Sequence, residues 1–453
     1  MPYVEGFGTY PFGEEWLFDA FARSHMPVLA VARDLTMTVT PVLADQLEAA
    51  GVAERMRRFL HRHRLAAAEA DAAAAEPELA PGASAEAARY HHALDAIASL
   101  GRDLLEGFRI AARERGVELI ASAATHAVLP LLATVPGRRL QIDAGLASHR
   151  RRFGSVVGFW LPECAYRAGI EAQLAERGLR YFCVDQSRHE ADLAALAPAR
   201  AGAGMVAFGI DWPSVERVWS IGGYPSDPLY LEYHRQSPNG TRLWAIGGGP
   251  HDPEAAAERA SEHAGEFVEA VAERLERFAD ARGRRGLLVF AIDTELLGAW
   301  WSEGPLWLAK VLAIAPARGL RLVTLGRALR EHDPEPRTLQ EASWGEGKDL
   351  SSWDSPAVAD LAWAARRLEL RLIAALDAGL DRRAGARAAR ELLALQASDW
   401  AFLDRRRQAG DYPFQRAVDH SRALLEAIDS RRPPNPRMRN LAPDLRLAPL
   451  LEP

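Results

Sequence analysis

Residues 155–166 read S-V-V-G-F-W-L-P-E-C-A-Y. An apolar run breaks at Pro162, and the next residue is the carboxylate Glu163. β-branched and aromatic residues in an unbroken run suit a strand covered on both faces. Proline then stops the ladder. The same texture recurs at V-E-L-I-A-S (117–122), Y-F-C-V (181–184), M-V-A-F-G-I (205–210) and L-L-V-F-A-I (287–292). T-M-T-V-T-P (36–41) precedes them, and R-L-V-T-L (321–325) is a weaker candidate. Helical patterns such as A-G-I-E-A-Q-L-A-E-R-G separate most of these runs. Strands alternating with helices imply parallel β/α units. The expected architecture is α/β, a closed β/α barrel, with an open α/β sheet as the alternative.

At 453 residues the chain exceeds one compact core of ordinary size. Residues 1–330 read as the barrel, with a helical insertion at 45–113, and residues 331–453 as a C-terminal helical domain. The insertion is Ala-rich and broken by Pro and Gly in its middle, which predicts two helices joined by a turn. The C-terminal part carries Ala, Leu and Arg at helical spacing, as in A-V-A-D-L-A-W-A-A-R-R-L-E-L-R-L (357–372). The stretch R-R-P-P-N-P-R-M-R-N (431–440) reads as a loop or tail. Hydrophobic residues make up 48% and charged residues 26%, the balance of a globular enzyme. A formal net charge of −6 attracts neither nucleic acid nor an anionic membrane surface. No run approaches the ~20 apolar residues of a membrane span, and no signal peptide is visible. Two cysteines, Cys164 and Cys183, form no C-x-x-C pair, so a reducing cytoplasm is the expected compartment. His61 and His63 lie two apart on a predicted helix and do not share a face, which argues against a metal site there.

Working residues of β/α barrels sit where strands end at their C-terminal side. That rule puts Glu163 after one strand and Asp293 after another. It adds Thr125 and His126 after a third, and Asp211 and Trp212 after a fourth. Paired carboxylates are what glycosidic bond cleavage needs, one to attack the sugar cation and one to protonate the leaving oxygen. A lone Asp at a strand end is more often a helix cap. Here both carboxylates lie among aromatics and glycine. Twelve tryptophans are present, several beside Gly, Asp or Glu, and these are candidate platforms for sugar rings. About half of the twelve are expected to fill core and domain seams instead.

G-F-W-L-P-E-C-A-Y (158–166) resembles the nucleophile motif of family 57 glycoside hydrolases, and D-T-E-L-L-G-A-W-W-S-E-G (293–304) resembles their acid/base motif. The similarity is greatest to the 1,4-α-glucan branching enzymes of that family. It extends through 11–20, 124–132, 215–230, 262–268, 343–353 and 392–403, in order along nearly the whole chain. The resemblance implies an incomplete (β/α)7-type barrel with a helical insertion and a C-terminal all-helical domain. It implies Glu163 as nucleophile, Asp293 as general acid then base, and His126 at the sugar nearest the cleaved bond. Trp16, Trp219, Trp344, Trp353 and Trp400 would line the cleft. Trp160, Trp300 and Asp399, within the same blocks, complete the implied substrate-binding set. The implied partner is an α-glucan, with no cofactor and no catalytic metal.

Two departures from the family pattern stand out. Related enzymes begin with a strand carrying His-x-His, followed by L-P-Y-V or similar. This chain begins M-P-Y-V-E-G. The expectation is that translation starts upstream of Met1 and that the present chain leaves a gap in its barrel. Secondly, loop 186–204 lacks the tyrosine that shields the intermediate in branching enzymes of the family. Water then competes better with a sugar acceptor, and more hydrolysis is expected. An amylase or 4-α-glucanotransferase is therefore the alternative enzyme, and a catalytically impaired glucan-binding protein is the alternative from another class. A sugar deacetylase would want H-x-x-x-H or H-E-x-x-H, which is absent, and I-G-G-G-P-H-D-P lacks phosphate-loop spacing.

Overall fold

A computed structural model describes residues 14–430, 435–438 and 440–451. Met1, the start of the 11–20 block and part of the 431–440 tail lie outside the described residues. Among the described residues, seven strands form the sheet: β1 (Thr36–Thr38), β2 (Glu118–Ser122), β3 (Gly158–Trp160), β4 (Tyr181–Val184), β5 (Ala199–Arg200), β6 (Val206–Gly209) and β7 (Glu335–Pro336). Their order is β1-β2-β3-β4-β6-β5-β7. β1, β2, β3, β4 and β6 run parallel, while β5 turns antiparallel to β6 and carries β7 beside it. With its helical insertion and C-terminal helices, this is an incomplete (β/α)7-type barrel.

The apolar runs are continuous because both faces are covered. Tyr181 and Cys183 join Ile120, Phe208 and Val289 inside the barrel. Their neighbours Phe182 and Val184 pack outward with Phe159, Ala207 and the helix Val135–Phe153 through Ile142 and Leu146. Period-two alternation thus survives in side-chain direction although polarity does not alternate. Inside, Glu118 accepts from Tyr181 Oη (2.6 Å), Thr36 Oγ1 (3.0 Å) and the backbone N–H of Gly326 (2.8 Å), tying β1, β2 and β4 together. β3 begins at Gly158 because a Cβ there would lie 2.3 Å from Cζ of Tyr181.

Two expected strands lack ladders. Residues 287–292 make only an isolated parallel bridge, Ile210↔Val289, and residues 321–325 run into the helix Leu325–Glu331 capped by Thr324. β1 pairs with β2 on one edge, and among the described residues no strand pairs with its other edge. A cavity of about 700 Å³ opens there, lined by Met37, Thr38, Ile120, Phe290, Ile292 and Leu322. The insertion holds the expected pair of helices, turning at 75–79, and adds a further helix. Val52–Phe59 continues through a π-helical turn, Leu60–Leu65, into Ala66–Ala74, and Ala80–Ser99 and Glu106–Arg115 follow. His61 and His63 are exposed on that turn. The buried pair Arg23–Glu86 (2.8 Å) docks the insertion, and Tyr90 Oη donates to Asp19 (2.8 Å) beside it.

The helices Ala359–Asp377, Arg382–Leu395, Ser398–Arg406 and Tyr412–Asp429 follow the barrel. Glu369 anchors them to it. Its carboxylate accepts from the backbone N–H and hydroxyl of Thr134 (2.8 and 2.6 Å) and from Gln396 Nε2 (2.9 Å).

Among the described residues, Arg321, Leu322 and Val323 make no backbone–backbone hydrogen bond. Amides without a ladder partner exchange at the low-stability end of a structure. Hydrogen-exchange mass spectrometry should therefore find rapid exchange at 321–323 and strong protection in β4 and β6. Equal protection would show that the 321–323 stretch is paired.

Candidate active site

The turn that ends β3 carries the first carboxylate. Glu163 (φ 59°, ψ 20°) and Cys164 (φ 50°) are consecutive non-glycine residues in the left-handed region. Such residues cost of order 1–3 kcal/mol each and persist only where their surroundings hold them. Here Cys164 N–H donates to Leu161 O (2.9 Å) and Ala165 N–H to Pro162 O (3.0 Å). From across the cleft, Trp344 N–H donates to Glu163 O (3.0 Å) and Tyr166 N–H to Ala342 O (2.8 Å). His126 after β2 also has positive φ (56°), and its carbonyl accepts from Ser398 N–H (3.3 Å).

These turns aim three side chains at one point. Trp344 Nε1 donates to Glu163 Oε2 (2.9 Å), and Ser398 Oγ donates to Glu163 Oε1 (2.7 Å). His126 Nδ1 lies 3.2 Å from Ser398 Oγ and 3.4 Å from Glu163 Oε1. Burial works to raise the Glu163 carboxyl. The His126 charge and hydrogen bond, with Trp344 and Ser398, outweigh it and hold Glu163 below its ordinary value. Burial likewise works against protonation of His126, and Glu163, then Asp399 and Asp293, outweigh it and raise the imidazole.

Asp293 ends the 287–292 stretch and starts the turn Thr294–Leu296. Its side chain is open to the cleft, yet protein surrounds it on most other sides. That partial desolvation is the largest effect on its carboxyl, and the nearby charges of Glu295 and Glu163 add to it, pushing it up to about 7. Below about pH 7 the site thus pairs an ionised carboxylate with a carboxyl that still holds its proton. Gly298 (φ 112°) folds the following loop against the backbone, since a Cβ there would lie 1.9 Å from Arg23 O.

The expected tryptophans divide. Trp344 touches Glu163, and Trp160 meets its ring edge-on at 5.1 Å. Trp16 and Trp300 are exposed with centroids 5.8 Å apart, and Tyr233 adds a third ring 4.5 Å from Trp300. Trp219, 53% exposed, stands apart from these rings at the end of the helix Trp212–Val218. Trp353 and Trp400 differ from the expected cleft lining. Trp353 is 4% exposed and packs on Val128 and Ala165, behind the His126 and Glu163 turns. Trp400 is 1% exposed, donates to Ala394 O (2.7 Å) and lies among Tyr412 and His420. Helical geometry explains this, because Trp400 is about 200° around the helix from Ser398. Asp399 lies between them and acts electrostatically on both His126 and Asp293. Ser398 and Glu295 were not singled out in the sequence, where a serine opening a helix and a second acid near Asp293 carry little signal. Among the described residues, no group of three or more His, Cys, Asp or Glu side chains could hold a metal ion. Nor is any helix there long and apolar enough to cross a membrane.

Loop 186–204 is tied down at several points. Gln186 exchanges two hydrogen bonds with the backbone of Gln340 (2.9 and 2.8 Å). Arg188 pairs with Asp349 (3.1 Å), Glu190 with Arg337 (2.9 Å) and Asp192 with Arg274 (2.9 Å).

The ionisation of Asp293 is directly testable. Replacing Glu295 by Gln removes a charge that raises the Asp293 carboxyl. Its midpoint, followed by carbon-13 NMR, should fall from near 7 toward the ordinary carboxylate range. An unchanged midpoint would assign the shift to desolvation and Glu163 instead.

The sequence model of glycosyl hydrolase family 57 matches residues 1–208, and that of the C-terminal region of 1,4-alpha-glucan branching enzyme matches residues 361–442. The chain is 33% identical over 481 residues to a 1,4-alpha-glucan branching enzyme of Thermococcus kodakarensis, covering 93% of this chain and 71% of that protein. It is also 33% identical over 478 residues to a probable 1,4-alpha-glucan branching enzyme of Mycobacterium tuberculosis, covering 94% and 89%. Among solved structures, a GH57-type branching enzyme from Pyrococcus horikoshii superposes with a TM-score of 0.91 at 30% identity, over 100% of this chain and 95% of that one. An alpha-amylase, AmyC, from Thermotoga maritima superposes with a TM-score of 0.86 at 25% identity, over 100% and 97%.

Proposed function

The chain belongs to glycosyl hydrolase family 57, and from that premise we propose that it is a 1,4-α-glucan branching enzyme working by a retaining mechanism. One observation carries the chemistry: Glu163, gripped at both oxygens by Trp344 and Ser398, shares a cleft with Asp293, a second carboxyl within its electrostatic reach that is pushed toward keeping its proton. In the first step a Glu163 oxygen attacks the anomeric carbon of an α-1,4-linked glucan. The C1–O bond breaks, and Asp293 gives its proton to the departing 4-oxygen. In the second step Asp293 takes the proton of an acceptor 6-hydroxyl as that oxygen attacks C1, and Glu163 leaves as a carboxylate. Configuration at C1 is retained, and the transferred segment ends on an α-1,6 link. Trp16, Tyr233 and Trp300 offer sugar rings an apolar strip on this reading, and Trp160 and Trp344 wall the reacting sugar. Trp353 and Trp400 stiffen that wall from behind.

Transfer is favoured over hydrolysis by the match of residues 361–442 to a branching-enzyme C-terminal region. The helix Ser398–Arg406, which reaches Glu163, lies inside this match. Loop 186–204, without a tyrosine, favours the second reading, an α-amylase-like hydrolase. We place the enzyme in the cytoplasm, since Cys164 and Cys183 are buried and unpaired; adding α-1,6 branches to an α-1,4-glucan would make a glycogen-like polymer.

Incubation with amylose separates the readings. Proton NMR should show new α-1,6 signals with few new reducing ends, whereas reducing ends without α-1,6 signal would make the protein a hydrolase. Glu163→Gln should abolish turnover, and Asp293→Asn should lower kcat by about 10²–10⁴-fold. The pH profile of kcat/KM follows from the two ionisations. Activity should fall on the acid side as Glu163 gains a proton, below the ordinary carboxylate range, and on the alkaline side near 7 as Asp293 loses one.

A further inference from the structure

We infer that Ser398 is a positioning residue for the attacking carboxylate, an inference that rests on Glu163 being the nucleophile. Ser398 is nearly inaccessible, and its hydroxyl is the closest polar group to Glu163 Oε1, at 2.7 Å. A hydroxyl has one proton to give. Given to the carboxylate, it leaves the oxygen lone pairs to accept from His126 Nδ1, 3.2 Å away. The order of donation is then fixed: Nδ1–H to Oγ, Oγ–H to Oε1. His126 holds a proton on Nδ1, and its Nε2 is left for the cleft.

The backbone locates this relay. Ser398 N–H donates to His126 O (3.3 Å), and Ala127 and Ala397 form an antiparallel bridge. The helix therefore meets the His126 turn by main chain and the Glu163 turn by side chain. Oε2 is held by Trp344, so loss of Ser398 would leave Oε1 to the longer 3.4 Å contact with His126 Nδ1 alone and loosen the carboxylate. The hydroxyl also favours the charged form of Glu163. It thus helps the carboxylate both as it awaits the sugar and as it leaves the glycosyl ester in the second step.

The test compares Ser398→Ala and Ser398→Thr with the parent and with Glu163→Gln, on amylose across pH. In the alanine variant kcat should fall about tenfold or more with KM within about twofold, and the acid limb of kcat/KM should move up by about one pH unit. Threonine, which keeps the hydroxyl, should restore both. Melting temperatures of the variants allow rates to be compared at equal folded fraction. An alanine variant with parental kcat and an unmoved acid limb, beside an inactive Glu163→Gln, overturns the role of Ser398 and leaves the nucleophile standing. Equal loss in alanine and threonine without a pH shift also overturns it, as a packing effect. A fully active Glu163→Gln would instead remove the reading on which the inference stands.

Discussion

Two consecutive left-handed residues, Glu163 and Cys164, set the terms for everything around them. L-residues avoid that region because Cβ crowds the following carbonyl. The turn exists because other parts of the chain fix it in place. The 342–344 segment grips it by backbone bonds at Tyr166 and at Glu163 O, and Trp344 also grips the carboxylate. The helix Ser398–Arg406 reaches the second oxygen. A strained rim turn thus makes the barrel depend on its C-terminal helices, and anchors such as Glu369 serve the site from a distance.

The same contacts divide the chemistry between two carboxyls. Glu163 faces three donors, and Asp293 faces Glu295 and Glu163. Desolvation, by burial at Glu163 and by surrounding protein at the open Asp293, pushes both toward the neutral form. Hydrogen bonds reverse that push at Glu163, while like charges reinforce it at Asp293. The His126–Ser398 contact belongs to this division, since an imidazolium there compensates the Glu163 anion.

Much of this was legible in the sequence. Apolar runs at 117–122, 155–161, 181–184 and 205–210 contain β2, β3, β4 and β6, because strands covered on both faces leave a local signature. The run at 287–292 carried the same signature and remains mostly unladdered, since pairing depends on a neighbour that local composition does not record. Glu163, Asp293 and His126 were found from strand ends. Trp353 and Trp400 are legible as residues but not as to which way they face, which helix phase decides for Trp400 and the turn Leu350–Ser352 for Trp353. Ser398 was invisible, for its contact with Glu163 spans 235 positions of sequence.

On the proposed retaining mechanism, the fate of the glycosyl intermediate is a matter of water. A shield can be a side chain that covers the ester, or a rim too well fastened to admit solvent on its own. Loop 186–204 lacks the first device, but it is bonded at Gln186, Arg188, Glu190 and Asp192 to segments flanking the cleft. Exposed ion pairs contribute little singly, so Gln186, which is buried and doubly bonded, holds more firmly than the exposed pair Arg188–Asp349. Transfer then depends on how long an acceptor strand dwells on the aromatic strip compared with how often water reaches C1. Trp16, Tyr233 and Trp300 can hold such a strand by broad apolar contact without fixing its length. A fastened loop and an aromatic acceptor strip are together compatible with transfer even where no tyrosine covers the ester.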